Sequence, residues 1–310
     1  MATPGSTPSL AVHLLRVNQA FPGRVDDRAL LDDSLDPLLE LVDDQSRVDV
    51  RKFRFLADAR RCLCGRLLAR HVASSRLDQP WSSLTFKKSE RGRPYLARGK
   101  GAPLLDLNTS HDGNLVAVAS LLSPAASSAS PSQPPPRVGV DVMRIRNPWE
   151  GTSVSEFVSG IAEQLAPRER SALSRLGEGA GTGSDAQRLR HALALWTLKE
   201  AFVKATAEGL HRDLLEVEFE LELFSRSSED GEGGEMVGEG RLEGRRMDGW
   251  RFWLVDVDGG ELESERTAYW LAVAEQTSDG TGEVRRLRRE PEWVGAVELA
   301  EIEARARGAS

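Results

Sequence analysis

The stretch "ALWTLKEAFVKATAEGL" (Ala194–Leu210) has the composition of a helix and carries an aromatic residue, an acid and two lysines close together. Trp196, Glu200 and Lys204 are spaced by four, which places them on one stripe of a helix. The spacing alone allows two interpretations. Glu200 and Lys204 form an ordinary solvent-facing pair, worth about 0.2–0.5 kcal/mol, or the stripe carries out chemistry.

Length and composition limit the classes of protein to consider. The chain has 310 residues, 40% of them hydrophobic, which suffices for one large domain or two ordinary ones. A net charge of -7 argues against a general nucleic-acid binder. Two cysteines, Cys62 and Cys64, cannot build a disulfide framework, so we expect a reduced, cytoplasmic protein. The sequence shows no secretory signal and no apolar run long enough for a membrane span, so no membrane partner is expected.

The first half alternates strand and helix signals. We predict a strand over Leu10–Asn18, a long amphipathic helix over Val50–Ala73 and a buried strand over Leu115–Leu122. "SPAASSASPSQPPP" (Ser123–Pro136) has no charge and almost no large apolar residue, so it predicts a flexible linker. The N-terminal half is therefore placed at residues 1–122.

The second half is placed at residues 137–285, followed by a peripheral, helical tail at 286–310. "WRFWLVDVD" and "AYWLAVAE" predict two adjacent antiparallel strands, whereas the acidic, glycine-rich segment 225–249 is expected to be a peripheral or disordered loop. "NLVAVASLL" and "YWLAVAEQT" echo each other near the ends of the two halves. The sequence therefore predicts an α+β fold with two similar halves.

A second acid lies within an apolar strand. In "VGVDVM", Asp141 is either at a strand end facing water or beside a cation, because burying an unpaired carboxylate costs about several kcal/mol. Asp141 and Glu200 together would suit Mg²⁺, which favours carboxylates and substrate phosphates. Lys199 and Lys204 would then flank a phosphate-bearing ligand.

The first half supplies groups for an anion. Arg93 lies in "RGRPYL", Ser110 and His111 lie in "NTSHDG" with the amides of a turn, and Lys52 opens the predicted arginine-rich helix. Lysine provides a point charge and arginine a fork of donors for phosphate. Each is alternatively a solvated basic residue, and His111 a hydrogen-bonded turn histidine. Neither a P-loop nor a G-x-S-x-G motif occurs.

Together these residues resemble the 4′-phosphopantetheinyl transferase superfamily, in its larger, two-halved type that includes the surfactin-synthetase activator and the eukaryotic aminoadipate-reductase activator. "GVD" (Gly139–Asp141) and "WTLKEAFVK" (Trp196–Lys204) are similar to the central signature, G-[IV]-D followed by W-x-x-K-E-[AS]-x-x-K. "GRPYL" and "NTSHDG" occupy the places of the G-K-P and N-x-S-H motifs. "KFRFLADARRCLCGRLL" resembles the first-half helix.

The resemblance implies an enzyme that moves phosphopantetheine from coenzyme A to a serine of an apo carrier protein and releases adenosine 3′,5′-bisphosphate. It implies a pseudo-two-fold monomer with the active site in the cleft between the halves. Asp141 and Glu200 would hold Mg²⁺, and Lys199 and Lys204 would touch the phosphates. The 3′-phosphate and adenosine end would meet a second group of residues: Lys52, Arg93, Ser110 and His111.

One departure from the family concerns the metal. Many bacterial members have a second acid at the position where this chain has Met143. The eukaryotic type also has methionine at this position. Water or another side chain would fill that place, and Asp112 is a candidate. Catalysis is assigned to Asp141, Glu200 and Lys204, with either Glu200 or a metal-bound water as the base.

The resemblance leaves several substrates and functions open. The carriers include domains of fatty-acid synthase, polyketide synthase, peptide synthetase and aminoadipate reductase. Two other functions fit the same residues: another Mg²⁺-dependent enzyme acting on a nucleotide pyrophosphate, and an inactive coenzyme A-binding scaffold.

Overall fold

The computed structural model describes residues 9–22, 29–97, 99, 102–123, 136–177, 182–209, 212–224, 234–262 and 265–308. It divides into two compact units, one of Met1–Pro136 with Glu292–Ser310 and one of Arg137–Pro291. Both units combine helices with sheets, which agrees with the predicted α+β class. Of the predicted linker, residues 124–135 lie outside the described part of the chain. No helix of the described ranges is long and apolar enough to cross a membrane.

The N-terminal unit is built on a four-stranded sheet of order β13-β1-β5-β4 and a separate hairpin, β2-β3. Short 3-10 turns cover Asp33–Leu35 and Trp81–Ser83. Its strands and helices are β1 (Ser9–Arg16), α1 (Val17–Ala20), α2 (Asp36–Leu39), α3 (Asp44–Val50), α4 (Leu56–Leu77), β2 (Phe86–Lys88), β3 (Pro94–Leu96), β4 (Leu104–Asp112), β5 (Leu115–Ser123), β13 (Val294–Ala296) and α8 (Leu299–Ala306). The strands predicted at Leu10–Asn18 and Leu115–Leu122 are confirmed as β1 and β5.

The helix predicted over Val50–Ala73 is wrong at its start, since α3 ends at Val50 and α4 begins only at Leu56. Between them the chain pairs with a distant segment. Leu30 bridges Phe55, and the Leu56 amide donates to the Ala29 carbonyl at 2.8 Å. This long-range pairing holds Phe55 in an extended conformation and interrupts the helical pattern. Lys52 therefore lies in the exposed turn before α4 and not on the helix.

The tail also differs from the prediction. The sequence predicts a peripheral, helical tail over residues 286–310, but in the described part of that segment, which ends at residue 308, the helix covers only Leu299–Ala306. β13 pairs in parallel with β1, with the Val12 amide donating to the Trp293 carbonyl at 2.7 Å. Ile302 of α8 is fully buried in the same core as α4. The last residues therefore complete the N-terminal unit.

The C-terminal unit is built on a seven-stranded sheet with the path β6-β11-β10-β12-β8-β7, and β9 pairs with β8. A 3-10 turn at Ala162–Gln164 follows the first helix of the unit. Its strands and helices are β6 (Val138–Arg144), α5 (Val154–Ile161), α6 (Pro167–Gly177), α7 (Thr182–Thr206), β7 (Val217–Leu221), β8 (Glu235–Leu242), β9 (Arg245–Arg246), β10 (Asp248–Leu262), β11 (Glu265–Thr281) and β12 (Glu283–Leu287).

Two predictions for this sheet have opposite outcomes. The antiparallel pair predicted from "WRFWLVDVD" and "AYWLAVAE" is confirmed as β10 and β11. The loop predicted at 225–249 is wrong over its second part, because β8 and β9 lie there and pair with each other. Residues 225–233 are outside the described ranges. The glycine-rich composition of β8 suits this pairing, because a Cβ on Gly238 or Gly240 would have no room next to β7.

Helix α7 packs on β6 at a point where only glycine fits. A Cβ on Gly139 would lie 2.0 Å from the Ala201 carbonyl oxygen and 2.5 Å from the Ala205 nitrogen. Both atoms belong to the backbone, so no side-chain rotation would relieve the clash. The apolar face of α7, including Leu195, Leu198 and Phe202, continues into the buried core of the unit. The glycine thus sets the short distance between the strand and the helix.

Candidate active site

The stripe of α7 that faces β6 carries Glu200 and Lys204. The helix predicted over Ala194–Leu210 is confirmed as far as Thr206, where α7 (Thr182–Thr206) ends, whereas residues 207–209 lie outside it. The Lys204 ammonium donates to the Asp141 carboxylate, with 2.6 Å between Nζ and Oδ1. Lys204 and Asp141 are 63 residues apart in the chain. Lys204 therefore forms its ion pair with an acid of the neighbouring strand, which the spacing along the helix alone does not predict.

The position of Asp141 follows from the alternation of β6. Asp141 pairs in register with Ala272 of β11, and Gly139 pairs with Ala274. Residues two apart on a strand share a face, so Asp141 lies on the same face as Gly139, towards α7. Asp141 is only 7% exposed. Its carboxylate is thus buried beside a cation, which is one of the two predicted alternatives.

Glu200 is in an environment that disfavours its charge. Burial raises the pKa of the Glu200 carboxyl above its usual value, the negative charge of Asp141 raises this pKa further, and the Lys204 charge partly opposes the increase. The charges of Asp141 and Glu200 therefore interact unfavourably, and the charge of Lys204 offsets part of this effect. A divalent cation would relieve this repulsion, and carboxylates are the ligands that Mg²⁺ prefers. Asp141 and Glu200 thus fit a magnesium ion.

Two further residues were considered for the metal. Met143 packs against the hydrophobic core of the C-terminal unit, so it takes no part in the polar site. Asp112 is the last residue of β4, in the N-terminal unit. Within the described residues, no group of three or more His, Cys, Asp or Glu side chains has the arrangement of a metal site. The candidate centre consists of two carboxylates and a lysine.

Lys199 does not belong to the polar stripe, and its predicted contact with phosphates is wrong in this structure. Its side chain is fully buried and its ammonium lies 2.7 Å from Oε2 of Glu169. The same ammonium donates to the backbone carbonyls of Leu214 at 2.8 Å and Gln164 at 3.2 Å. Three acceptors match the three donors of an ammonium group. The prediction failed because one residue along a helix is a turn of about 100°.

Lys52 lies in a cluster of cations in the N-terminal unit. Lys52, Lys88 and Arg66 all approach the carboxylate of Asp49, at 2.9, 2.9 and 3.0 Å. Hydrogen bonds from Lys88 and Lys52 hold the pKa of Asp49 well below its usual range. Three cations share one carboxylate, so the cluster keeps an excess of positive charge. Sequence analysis missed Lys88 and Arg66, although "FKK" is a visible basic signal.

The other predicted nucleotide contacts lie around β4. Arg93 precedes β3 and donates to Asp106 at 2.6 Å. Ser110 and His111 are within β4 and not in a turn, because β4 pairs with β5 as far as Asp112. Neighbouring strand residues point to opposite faces, and Ser110 is buried whereas His111 is exposed. The two side chains therefore lie on opposite faces of the sheet. A ligand that both residues contact, as the sequence predicts, would favour side chains on the same face.

The geometry in the C-terminal unit defines a class of site, two acids and a lysine suited to a divalent cation and a phosphate. Comparison with known sequences is more specific. Residues 31–123 match the family model "4′-phosphopantetheinyl transferase, N-terminal", and residues 137–269 match "4′-phosphopantetheinyl transferase superfamily". Both matches include residues of the predicted site.

Curated relatives carry the same name. The chain is 32% identical over 199 residues to the 4′-phosphopantetheinyl transferase of Paxillus involutus, covering 63% of this chain and 70% of that protein. It is 32% identical over 178 residues to a phosphopantetheinyl transferase of a Thraustochytrium species, covering 57% of each. It is 29% identical over 182 residues to the L-aminoadipate-semialdehyde dehydrogenase-phosphopantetheinyl transferase of Xenopus laevis, covering 58% of this chain and 54% of that one.

This chain belongs to the 4′-phosphopantetheinyl transferase superfamily, a family of transferases. The relatives named for L-aminoadipate-semialdehyde dehydrogenase point to the eukaryotic, two-halved type. The chain spans 54% of the Xenopus laevis relative, 57% of the Thraustochytrium relative and 66% of the Pongo abelii relative.

Proposed function

We propose that this chain transfers 4′-phosphopantetheine from coenzyme A to a serine of apo carrier-protein domains, in a Mg²⁺-dependent reaction that releases adenosine 3′,5′-bisphosphate. Family membership supports the class of reaction. The observation that carries the proposal is the juxtaposition of Asp141, Glu200 and Lys204, since these signature residues come from two distant segments and meet at one polar site.

The chemistry requires positioning and charge more than covalent participation of the protein. The serine hydroxyl oxygen forms a bond to the phosphorus that bears pantetheine, the bridge of the pyrophosphate breaks, and the bisphosphate leaves with the bonding pair. The serine proton passes to a base. Bound Mg²⁺ would supply positive charge at the pyrophosphate.

Each side chain has a defined task in this proposal. Asp141 and Glu200 would hold the cation, as their proximity and partial burial favour. Lys204 fixes Asp141 by hydrogen bonding and places a positive charge beside the carboxylates, where it would offset charge developing on the leaving group. Glu200 is also a candidate acceptor for the serine proton, with a metal-bound water as the alternative.

The nucleotide end is assigned to the N-terminal unit. The positive excess around Asp49, to which Lys52 contributes, supports binding of the 3′-phosphate there. Arg93, Ser110 and His111 remain the candidates for contacts near the adenosine end. Lys88 and Arg66 join Lys52 in this assignment because they share its carboxylate.

The carrier and the setting complete the proposal. The relatives' names favour an aminoadipate reductase carrier domain as one partner, with fatty-acid, polyketide and peptide synthases as others. We further propose a cytoplasmic monomer; the two free cysteines, of which Cys64 is buried, suit a reducing compartment. The alternative enzyme on a nucleotide pyrophosphate would use the same acids, whereas an inactive scaffold would not need them.

A carrier-modification assay tests the function directly. The protein is incubated with coenzyme A, Mg²⁺ and each of several apo carrier domains, and intact-mass spectrometry follows the carrier. We expect the mass to rise by one phosphopantetheine group, and only with Mg²⁺ present. A carrier with its acceptor serine replaced by alanine serves as control. Unmodified carriers throughout, with an enzyme that still binds coenzyme A, would favour the scaffold.

Asp112 is proposed as the group that replaces the missing second acid at Met143. If Asp112 helps to hold the cation, Asp112→Ala should raise the Mg²⁺ concentration for half-maximal transfer by about tenfold or more. The rate at saturating Mg²⁺ should fall much less. A magnesium titration that overlays the one for the unmodified protein would remove Asp112 from the site.

A further inference from the structure

Glu169 and Lys199 form a fully buried ion pair beside the face of α7 that carries Glu200 and Lys204. Both side chains are 0% exposed, and their charged atoms are 2.7 Å apart. Taking two charges out of water costs free energy that the pair recovers only with good geometry and further hydrogen bonds. A buried pair is therefore weak support for stability as such, and its place next to the reacting residues of α7 points to another task.

Hydrogen bonds tie this pair to three elements of the C-terminal unit. Oε2 of Glu169 accepts from the Ala166 amide at 2.7 Å, at the start of α6. Oε1 accepts from the Phe219 amide at 2.8 Å, in β7. Lys199 itself belongs to α7 and also donates to the Leu214 carbonyl, just before β7. The pair thus joins α6, α7 and β7 at one point.

The position of Lys199 within α7 links this junction to the reacting groups. Glu200 follows Lys199 immediately, about 100° further around the helix. A rotation of α7 by about 20° would move a carboxylate about 5 Å from the axis by roughly 2 Å. A misplacement of about 1 Å costs as much as a hundredfold in rate. The rotation of α7 about its own axis must therefore be fixed. The contact at Gly139 constrains the distance between α7 and β6 more than it constrains this rotation.

We propose that Glu169 and Lys199 are positioning residues that set the rotation of α7 and so place Glu200 and Lys204 against Asp141. The inference rests on the proposed function for its catalytic consequence. Lys199 acts through Glu200 and touches no substrate. The charge of its side chain serves orientation, since the ammonium has three fixed acceptors: the Glu169 carboxylate and the carbonyls of Gln164 and Leu214.

The double variant Glu169→Gln with Lys199→Met carries the test. Either single change leaves a buried group without its partner and should lower the unfolding temperature strongly. The double change removes both charges and keeps side chains of similar size, and the new carboxamide oxygen can still accept from one of the two backbone amides that bind Glu169, so the double variant should lose less stability than either single change. We expect the double variant to unfold cooperatively but to bind Mn²⁺ about tenfold or more weakly, as followed by the electron paramagnetic resonance signal of free Mn²⁺. Its kcat for transfer should fall about a hundredfold, with the KM for the carrier changed less than about twofold.

The matched control is Arg168→Gln, next to Glu169 in the sequence. The Arg168 side chain is 67% exposed and makes only long ion pairs. It should keep both the Mn²⁺ affinity and kcat. A folded double variant with the Mn²⁺ affinity and kcat of the unmodified protein would overturn the positioning role. The Mn²⁺ titration needs no carrier, so it tests the positioning role even if the unmodified protein transfers nothing. An unmodified protein that transfers nothing would separately overturn the proposed function.

Discussion

Glu200→Gln is expected to abolish phosphopantetheine transfer and to leave the fold intact. The amide keeps the shape of the side chain but lacks the charge that would hold Mg²⁺ and the basicity that would accept a proton. The loss in kcat/KM should be about a thousandfold or more, as expected when a charged group of the reaction centre is neutralised. Intact-mass measurement of carrier modification over time gives the rate.

The same change should make the protein more stable at neutral pH. The pKa of Glu200 is raised in the folded protein, because of burial and the Asp141 charge. An acid whose pKa is raised by folding loses stability as the pH rises above its unfolded value of 4.5. Glutamine removes that penalty, so the unfolding temperature should be higher than for the unmodified protein at pH 7. The difference should disappear near pH 4, where Glu200 is protonated in both states.

Glu163→Gln is the control, since Glu163 is an exposed glutamate of the same unit. It should change neither the rate of transfer nor the unfolding temperature at pH 7. Retained transfer in Glu200→Gln would refute the metal role of Glu200. A loss of activity accompanied by a lower unfolding temperature at pH 7 would contradict the electrostatic account, because it would indicate a damaged fold.

The sequence predicted the central site because its signals are local. The spacing by four of Trp196, Glu200 and Lys204 places them on one face of a helix, and a lone acid in an apolar strand is either at a strand end facing water or beside a cation. The structure joins these two patterns through the contact between Lys204 and Asp141. The α+β class followed from the same kind of periodicity, and it identified the strand pair β10 and β11 before their register was known.

The remaining features depend on pairings that no local pattern contains. Lys199 is buried because Glu169, 30 residues earlier in the sequence, and two backbone carbonyls meet it. The break before α4 depends on Leu30 pairing with Phe55. Lys88, which lies on another element, is a cationic neighbour of Lys52 because both bind the carboxylate of Asp49. In each case a tertiary contact determined the environment of a residue whose type was compatible with several environments.

Gly139→Ala is expected to damage both stability and transfer, because it separates β6 from α7. The added methyl group would lie 2.0 Å from the Ala201 carbonyl oxygen, so the helix backbone itself must move. Overpacking of this kind costs about 3 kcal/mol of unfolding free energy. A shift of about 1 Å would withdraw Glu200 and Lys204 from Asp141, and transfer should fall about a hundredfold or more. Denaturant unfolding and the carrier assay measure the two effects.

Gly295→Ala provides the comparison for Gly139→Ala, since Gly295 also lies in a strand but a Cβ there would meet nothing within 4 Å. It should leave both measurements nearly unchanged. The glycine and the aspartate of the signature G-V-D then act together, because they lie two residues apart on β6. The glycine allows the backbone of α7 to pack closely, and this packing brings the side chains of α7 to the aspartate. An alanine at 139 with normal stability and normal transfer would show that the close packing of β6 and α7 is not what assembles the site.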